Sequence, residues 1–285
     1  MRKYSGGDDF SDANTIIAQF AFLILILIIF IFSIYLGVAL LSYLMQPRST
    51  VYLVYGMANG SAGLTINQDP SDANAITIWR SNNRDKGIEF TWGIWVIIND
   101  LAPAPTAQQG VWQNIFNKGG NGTYHNDSIS GDAYPNTIPG AAINNAPGIY
   151  LNPKTNTLRI MMDIIGNNTT QVGPSYIDID NIPFKKWFHI AIRLENTLLD
   201  VYINGVISGR VQLPNVPDQN YDNVYICYNG GFNGNISNLM YMTFAANVYQ
   251  IQNIVNQGPN TTSYNDTSIY STNDYLSTSW YAAKF

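Results

Sequence analysis

The chain has 285 residues, 46% of them hydrophobic and only 12% charged, with 34 Asn, 19 Tyr, 23 Gly, 17 Asp and two Glu. So many aromatics exclude a disordered chain, and the scarcity of Glu, Lys and Arg beside abundant Asn, Gly, Asp and Tyr excludes a mainly helical one. A net charge of -5 leaves no basic stripe for phosphates, which excludes nucleic acid as a partner, and one cysteine, Cys227, cannot form an internal disulfide.

Residues 1–15 read as a short polar tail. Between Asp12 and Arg48 lie 35 consecutive uncharged residues, and Phe20 to Leu44 is almost wholly apolar. About 20 residues in a helix cross the hydrocarbon layer, and inside lipid a single segment satisfies its backbone only as a helix. A transmembrane helix is therefore expected over 16–46, with Phe20, Leu25, Ile29, Phe32, Leu36, Leu40 and Leu44 among the lipid-facing residues and Tyr35 and Tyr43 near one interface. The apolar core is longer than that of a cleaved signal and no small-x-small site follows it, so the reading is an uncleaved single-pass anchor. Arg2 and Lys3 before it favour a cytosolic N-terminus.

After Arg48 come short runs of Val, Ile, Tyr, Phe and Trp separated by Gly, Asn, Pro and Asp, the pattern of an antiparallel sandwich. Strands are expected over Val51–Tyr55, Ala75–Trp79, Glu89–Ile97, Val111–Phe116, Gly148–Leu151, Thr157–Asp163, Ser175–Asp180, Trp187–Leu194, Leu198–Ile203, Val206–Leu213, Val224–Tyr228 and Asn235–Phe244. Positions 188, 190, 192 and 194 alternate as one core face, while Trp92 and Trp187 are expected in the core. Asn204-Gly205 favours a two-residue type I′ hairpin, and the stretch from Asn117 to Pro147 reads as loops. Cys227, in the run 224–228, reads as a small buried hydrophobe. Asn247 caps a short helix whose Val248, Ile251, Ile254 and Val255 share a side and which Gly258 and Pro259 stop. The domain thus runs over 49–258, followed by a polar, aromatic C-terminal tail over 259–285.

Phe90-Thr91-Trp92-Gly93-Ile94-Trp95-Val96 with Ile115-Phe116-Asn117-Lys118-Gly119 resembles early strands of the concanavalin A-like lectin/glucanase superfamily, in its laminin-G-like branch. Trp187-Phe188-His189-Ile190-Ala191, with Tyr202, Asn204 and Gly205, is similar to that family's "W-x-H-x-A … Y-x-N-G" core, and the run through Gly234 to Leu239 to its closing strand. The resemblance covers roughly 75–258 and implies an all-β, two-sheet antiparallel jelly-roll sandwich whose relatives bind glycans or proteins, some hydrolysing glucans. It also implies that His189 is a hydrogen-bonded core histidine. Together with the single helix and the Asn- and Tyr-rich composition, the domain resembles virion proteins of large DNA viruses of algae and protists, which lie between an internal membrane and the capsid shell.

Chemistry is sparse. Glycoside hydrolysis needs two carboxylates flanking the sugar bond, whereas Glu89 and Glu195 lie more than a hundred residues apart and Asp178-Ile179-Asp180 is the one same-face acid pair, beside turn residues. His125 sits in a polar run, two His and one Cys give no zinc spacing, and Asp127 to Asp132 offers oxygen ligands of the kind calcium takes but reads as solvated turn acids. No cofactor and no catalysis are expected. Asn59, Asn121, Asn126, Asn167, Asn168, Asn235, Asn260 and Asn265 begin glycosylation sequons, which matter only in a glycosylating lumen. The expected role is a structural protein that joins a bilayer to neighbouring capsid or membrane proteins, a minor capsid protein of a virion internal membrane. The alternative is a membrane-displayed lectin, since exposed aromatics with Asn and Asp suit sugars.

Overall fold

A computed structural model describes residues 8–45, 49–72, 74–85, 87–102, 112–120, 140–165 and 176–264. The first element, α1 (Asp8–Met45), starts inside the segment read as a polar tail. Thr15–Leu44 is long and apolar enough to cross a membrane, and none of the window that passes this test is buried. All seven side chains named above as lipid-facing lie in it; six are exposed and Leu44 is half-exposed.

The remaining elements form a two-sheet antiparallel jelly-roll sandwich and one short helix. In chain order the strands are β1 (Thr50–Asn59), β2 (Leu64–Ile66), β3 (Asn82–Arg84), β4 (Gly87–Asp100), β5 (Gln113–Lys118), β6 (Gly148–Leu151), β7 (Thr157–Met161), β8 (Tyr176–Asp180), β9 (Phe188–Glu195), β10 (Leu198–Ile203), β11 (Val206–Gln212), β12 (Val224–Ile226) and β13 (Asn233–Met242), with α2 (Val248–Gln257) last. One sheet runs β1-β13-β4-β9-β10-β11 with β3 paired to the start of β4; the other runs β2-β12-β5-β6-β7-β8.

Alternation in the strands decides the core. Phe188, Ile190, Ile192 and Leu194 all point inward and are buried, as their spacing predicts, alongside Phe90, Trp92, Ile94, Val96 and Ile98 of β4. Trp92 stacks on Phe116 of the opposite sheet at 5.3 Å between ring centres and meets Tyr241 at 5.0 Å. Burying each such side chain contributes roughly 1.5–3 kcal/mol. Trp187 is the exception: it stands one residue before β9, out of phase with the inward set, and is only half-buried.

The central hairpin forms as its sequence demands, with Asn204 at φ 51° and Gly205 at φ 80°. The Asn204 side chain also accepts from the backbone N of His189 at 2.9 Å, which ties the turn to β9. Gly234 is required by a close approach, since a Cβ there would lie 2.0 Å from the carbonyl oxygen of Ile97.

Three expectations change. Ala75–Trp79 forms no strand: its alternation is real, with Ile76 and Ile78 packed on the core, but the Gln68 side chain holds its backbone, accepting from Ile78 N at 3.0 Å and donating to Ile76 O at 2.8 Å. The short β2 and the polar β3 are instead imposed by neighbours, β12 and β4 respectively. In α2 the Asn247–Gln250 capping box and the Gly258 stop form as read, yet Val248 is exposed and Ile251 alone is buried. It packs on the outer face of the first sheet, against Ala191, Tyr202, Met240 and Met242.

Candidate functional site

A cavity of about 530 Å³ opens into the sandwich. Its floor is aromatic, made by Phe90 and Trp92 of β4 and Tyr241 of β13, which also belong to the buried core. Its volume and apolar floor are those of an ordinary small-molecule site. One wall is Trp79, Arg80, Ser81 and Asn83 with Ile88, and the other is the loop 216–221 between β11 and β12.

Lys118, at the end of β5, holds that second wall in place. It is buried, and its Nζ donates to the carbonyl and side-chain oxygens of Asn220, each at 3.0 Å, and to the carbonyl of Asp222. Burial pushes its pKa down to about 8 against the raising influence of Asp222. The loop is fastened again by Gln219 donating to Ser81 Oγ at 2.7 Å, by Ile165 N to Val216 O at 2.8 Å and by Asp218 N to Asp163 O at 2.8 Å. With three acceptors on its three protons, Lys118 acts as a strut.

Behind this wall lies a buried polar chain. Tyr150 donates to Asn145 Oδ1, Ala142 N donates to Tyr150 Oη at 2.9 Å, and Asn145 N donates to Asp163 Oδ2 at 2.6 Å. Burial pushes the Asp163 carboxyl up to about 6, the bond from Asn145 opposes this, and Asp218 adds to it.

The acids occupy unexpected places. Glu89 and Glu195, distant in sequence, are cross-strand partners in β4 and β9, so chain separation did not separate them in space. Glu195 is bound by Arg193, which also reaches Asp200 at 3.2 Å and the Ala246 carbonyl at 3.0 Å, and Arg210 clamps the fully buried Asp200 with two bonds. The Asp178–Asp180 pair is engaged as well: Asp178 by Arg159 through two bonds of 2.7 and 2.6 Å, Asp180 by Thr157 Oγ1 at 2.7 Å. Arg159 in turn lies over Trp112 and Tyr176, which gives Trp112 its place. Among the described residues no three His, Cys, Asp or Glu side chains gather as a metal set.

His189 is buried as expected but not hydrogen-bonded through its ring: neither Nδ1 nor Nε2 has a partner. It lies on the outer face of its sheet, beside Trp95 at 5.3 Å between ring centres and beside Gly93. Burial pushes its pKa down to about 4. Cys227 is buried and its thiol is pushed up by burial. Of the sequon asparagines, Asn59 is exposed, Asn235 and Asn260 are half-buried, and Asn121, Asn126, Asn167, Asn168 and Asn265 lie outside the described residues, as do His125 and the Asp127–Asp132 run.

No known family profile matches the chain, and no curated protein does. Among solved structures it is similar to the receptor binding domain of botulinum neurotoxin D, at 10% identity and a TM-score of 0.45 over 73% of this chain and 45% of that one. It is likewise similar to that of the C/D mosaic serotype, at 10% and 0.44 over 73% and 44%, and that of type G, at 11% and 0.39 over 70% and 46%. The chain spans less than half the length of each. At such scores the fold rests on the chain's own sheets.

The sequence does not disclose the cavity: Trp79 reads as a strand residue, Tyr221 falls in no expected element, and Lys118 stands out only within its motif. The available signal was a lysine closing a strand whose six residues are all buried, since a buried lysine needs built acceptors.

Proposed function

We propose that the chain is a non-catalytic, membrane-anchored structural protein, its sandwich presented at a bilayer by α1. The observation that carries this reading is the contrast between the two parts. The apolar window of α1 has no buried face, whereas the sandwich closes its own core between two sheets. A helix apolar all round is matched to lipid. A role without catalysis is supported by the engagement of the acids, with Asp178, Glu195 and Asp200 each held by an arginine. The finer form of the proposal, from the sequence resemblance, is a minor capsid or virion membrane protein of a large DNA virus that links the internal membrane to the shell by many weak contacts at high effective concentration.

Alkaline extraction tests the anchor: the full chain stays with membranes, and deletion of 16–45 releases the domain. A deletion variant retained after the wash refutes it. Labelling the chain in intact particles tests the finer form, which requires fixed positions between membrane and shell.

A second reading, binding of a glycan, is favoured by the cavity, where the side chains of Asn83, Asn196, Gln219 and Asn220 line an aromatic floor. A glycan array probed with the full chain in detergent tests it, and selective binding lost in a Lys118→Met variant, whose loop wall is unstrapped, supports it.

A further inference from the structure

We propose that the mouth of the cavity docks on the bilayer that α1 enters and takes the headgroup of a zwitterionic phospholipid. The proposal rests on the reading of α1 as a membrane anchor and adds a second, side-chain-specific contact between the chain and the lipid.

Exposure makes the first argument. Trp79 is 42% exposed, Ile165 54%, Val216 40% and Tyr221 96%, and all four stand around this one opening. A grouped apolar rim costs free energy in water and marks a contact surface. Trp and Tyr are the side chains that favour the membrane interface, having an apolar body and a polar tip.

Charge makes the second. The cavity lining carries Arg80 and Asp218, one of each sign, in addition to the fully bonded Lys118. An anionic ligand would meet Asp218, and a cationic one would meet Arg80. A phosphate joined to an ammonium group suits both: phosphate to the Arg80 guanidinium, ammonium to Asp218 and the faces of Trp79 and Tyr221, by charge and by cation–π attraction.

Chain connectivity makes the third. Between the lining residues Ser81 and Asn83, Asn82 N donates to Thr243 O at 2.6 Å, and Thr243 N donates to Ser49 O at 2.9 Å. Two strand spacings, about 10 Å, therefore separate Asn82 from Ser49. Ser49 follows Met45, the last residue of α1, by four peptide steps, which extend to at most about 14 Å. A short linker thus joins the domain that carries the cavity to α1.

The test uses the full chain in phosphatidylcholine vesicles with or without bromine on the upper acyl carbons. None of the six tryptophans lies in α1, so bromine quenching reports on residues outside the helix. Trp79→Phe is expected to lose at least half of the quenching. Tyr221→Ser, at a side chain too exposed to unfold the protein, is expected to lose a comparable share, and Asp218→Asn to reduce quenching in phosphatidylcholine. Unchanged quenching in both Trp79→Phe and Tyr221→Ser overturns the proposal. A Trp79 emission shift on adding soluble oligosaccharides, without lipid quenching, also overturns it and gives the cavity to a glycan. Flotation of the same vesicles after alkaline washing reads the anchor separately: release of the chain there refutes the anchor, whereas retention with unquenched Trp79 refutes only the docking.

Discussion

Replacing His189 with Leu should reduce the loss of stability of the fold in acid. In the native chain the imidazole is fully buried and neither ring nitrogen has a partner, so burial alone drives its pKa from 6.5 to about 4. The unfolded chain therefore takes up a proton below about pH 6.5, which the folded chain refuses until about pH 4. Between these values the unfolded state binds more protons and stability falls as pH falls. At about 1.4 kcal/mol per pKa unit, the 2.5-unit gap amounts to roughly 3 kcal/mol, of which about 2.5 kcal/mol is already lost at pH 4.5. His189→Leu removes this loss, and by deleting two buried unbonded nitrogens it also stabilises the fold at neutral pH by about 1–2 kcal/mol. The measurement is urea unfolding of the full chain in detergent, followed by tryptophan emission at half-unit steps from pH 4.5 to 7.5. The difference in unfolding free energy between variant and wild type should widen by about 2.5 kcal/mol across that range. A constant difference would show that the imidazole is solvated or bonded and would refute the reasoning.

Asp163 works in the opposite direction. Its carboxyl is raised from 3.8 to about 6, so the folded state binds the extra proton and stability falls as pH rises from 4 to 6. Asp163→Asn, which keeps an acceptor for Asn145 N, should stabilise the fold at pH 7.5 by about 1–2 kcal/mol, allowing for partial exposure, and by less at pH 4.5, read by the same titration. Lys118→Met leaves two carbonyls and an amide oxygen without their donor and should cost about 2–4 kcal/mol and expose the 216–221 loop to protease. Gly234→Ala forces a Cβ onto the Ile97 carbonyl and should cost more than about 3 kcal/mol, while Gly63→Ala, which meets nothing closer than 3.4 Å, should cost under about 1 kcal/mol. Cys227 should resist thiol reagents until the sandwich unfolds, a rate that reports global opening.

What the sequence discloses and what it withholds divide along the range of the forces involved. Phe188 to Leu194 announces its inward face because alternation is local, and Asn204-Gly205 announces its turn because two positive φ values are a property of two residues. Phe20 to Leu44 is equally plain as a long apolar helix, since its uncharged run is unbroken. Ala75–Trp79 misleads because its hydrogen-bond partner is a side chain, Gln68, a possibility the alternation does not encode. Trp187 misleads by one residue of phase, which in a strand reverses the face. The cavity is the least legible part: Trp79, Lys118 and Tyr221 come together only after the loop before β12 is fastened to β5 and to Ser81. The Glu89–Glu195 pairing shows the same limit, for no spacing along the chain predicts which strands become neighbours.

The position of β1 has a mechanical consequence. It is the first element of the sandwich after α1, it forms the edge of its sheet, and it is bonded along its length to β13, with matched positions from Thr50–Met242 to Asn59–Asn235. Tension arriving through Ser49 along the strand axis loads these rungs together, in shear, instead of opening them one at a time. β13 passes the load on to β4 at the centre of the sheet, and a bridge from Met57 to Ser263 restrains β1 on its other side. Resistance to such a pull is governed by the rate of unfolding and not by equilibrium stability. A pull entering at Ser49 would thus meet a strand paired from its first residue to its last.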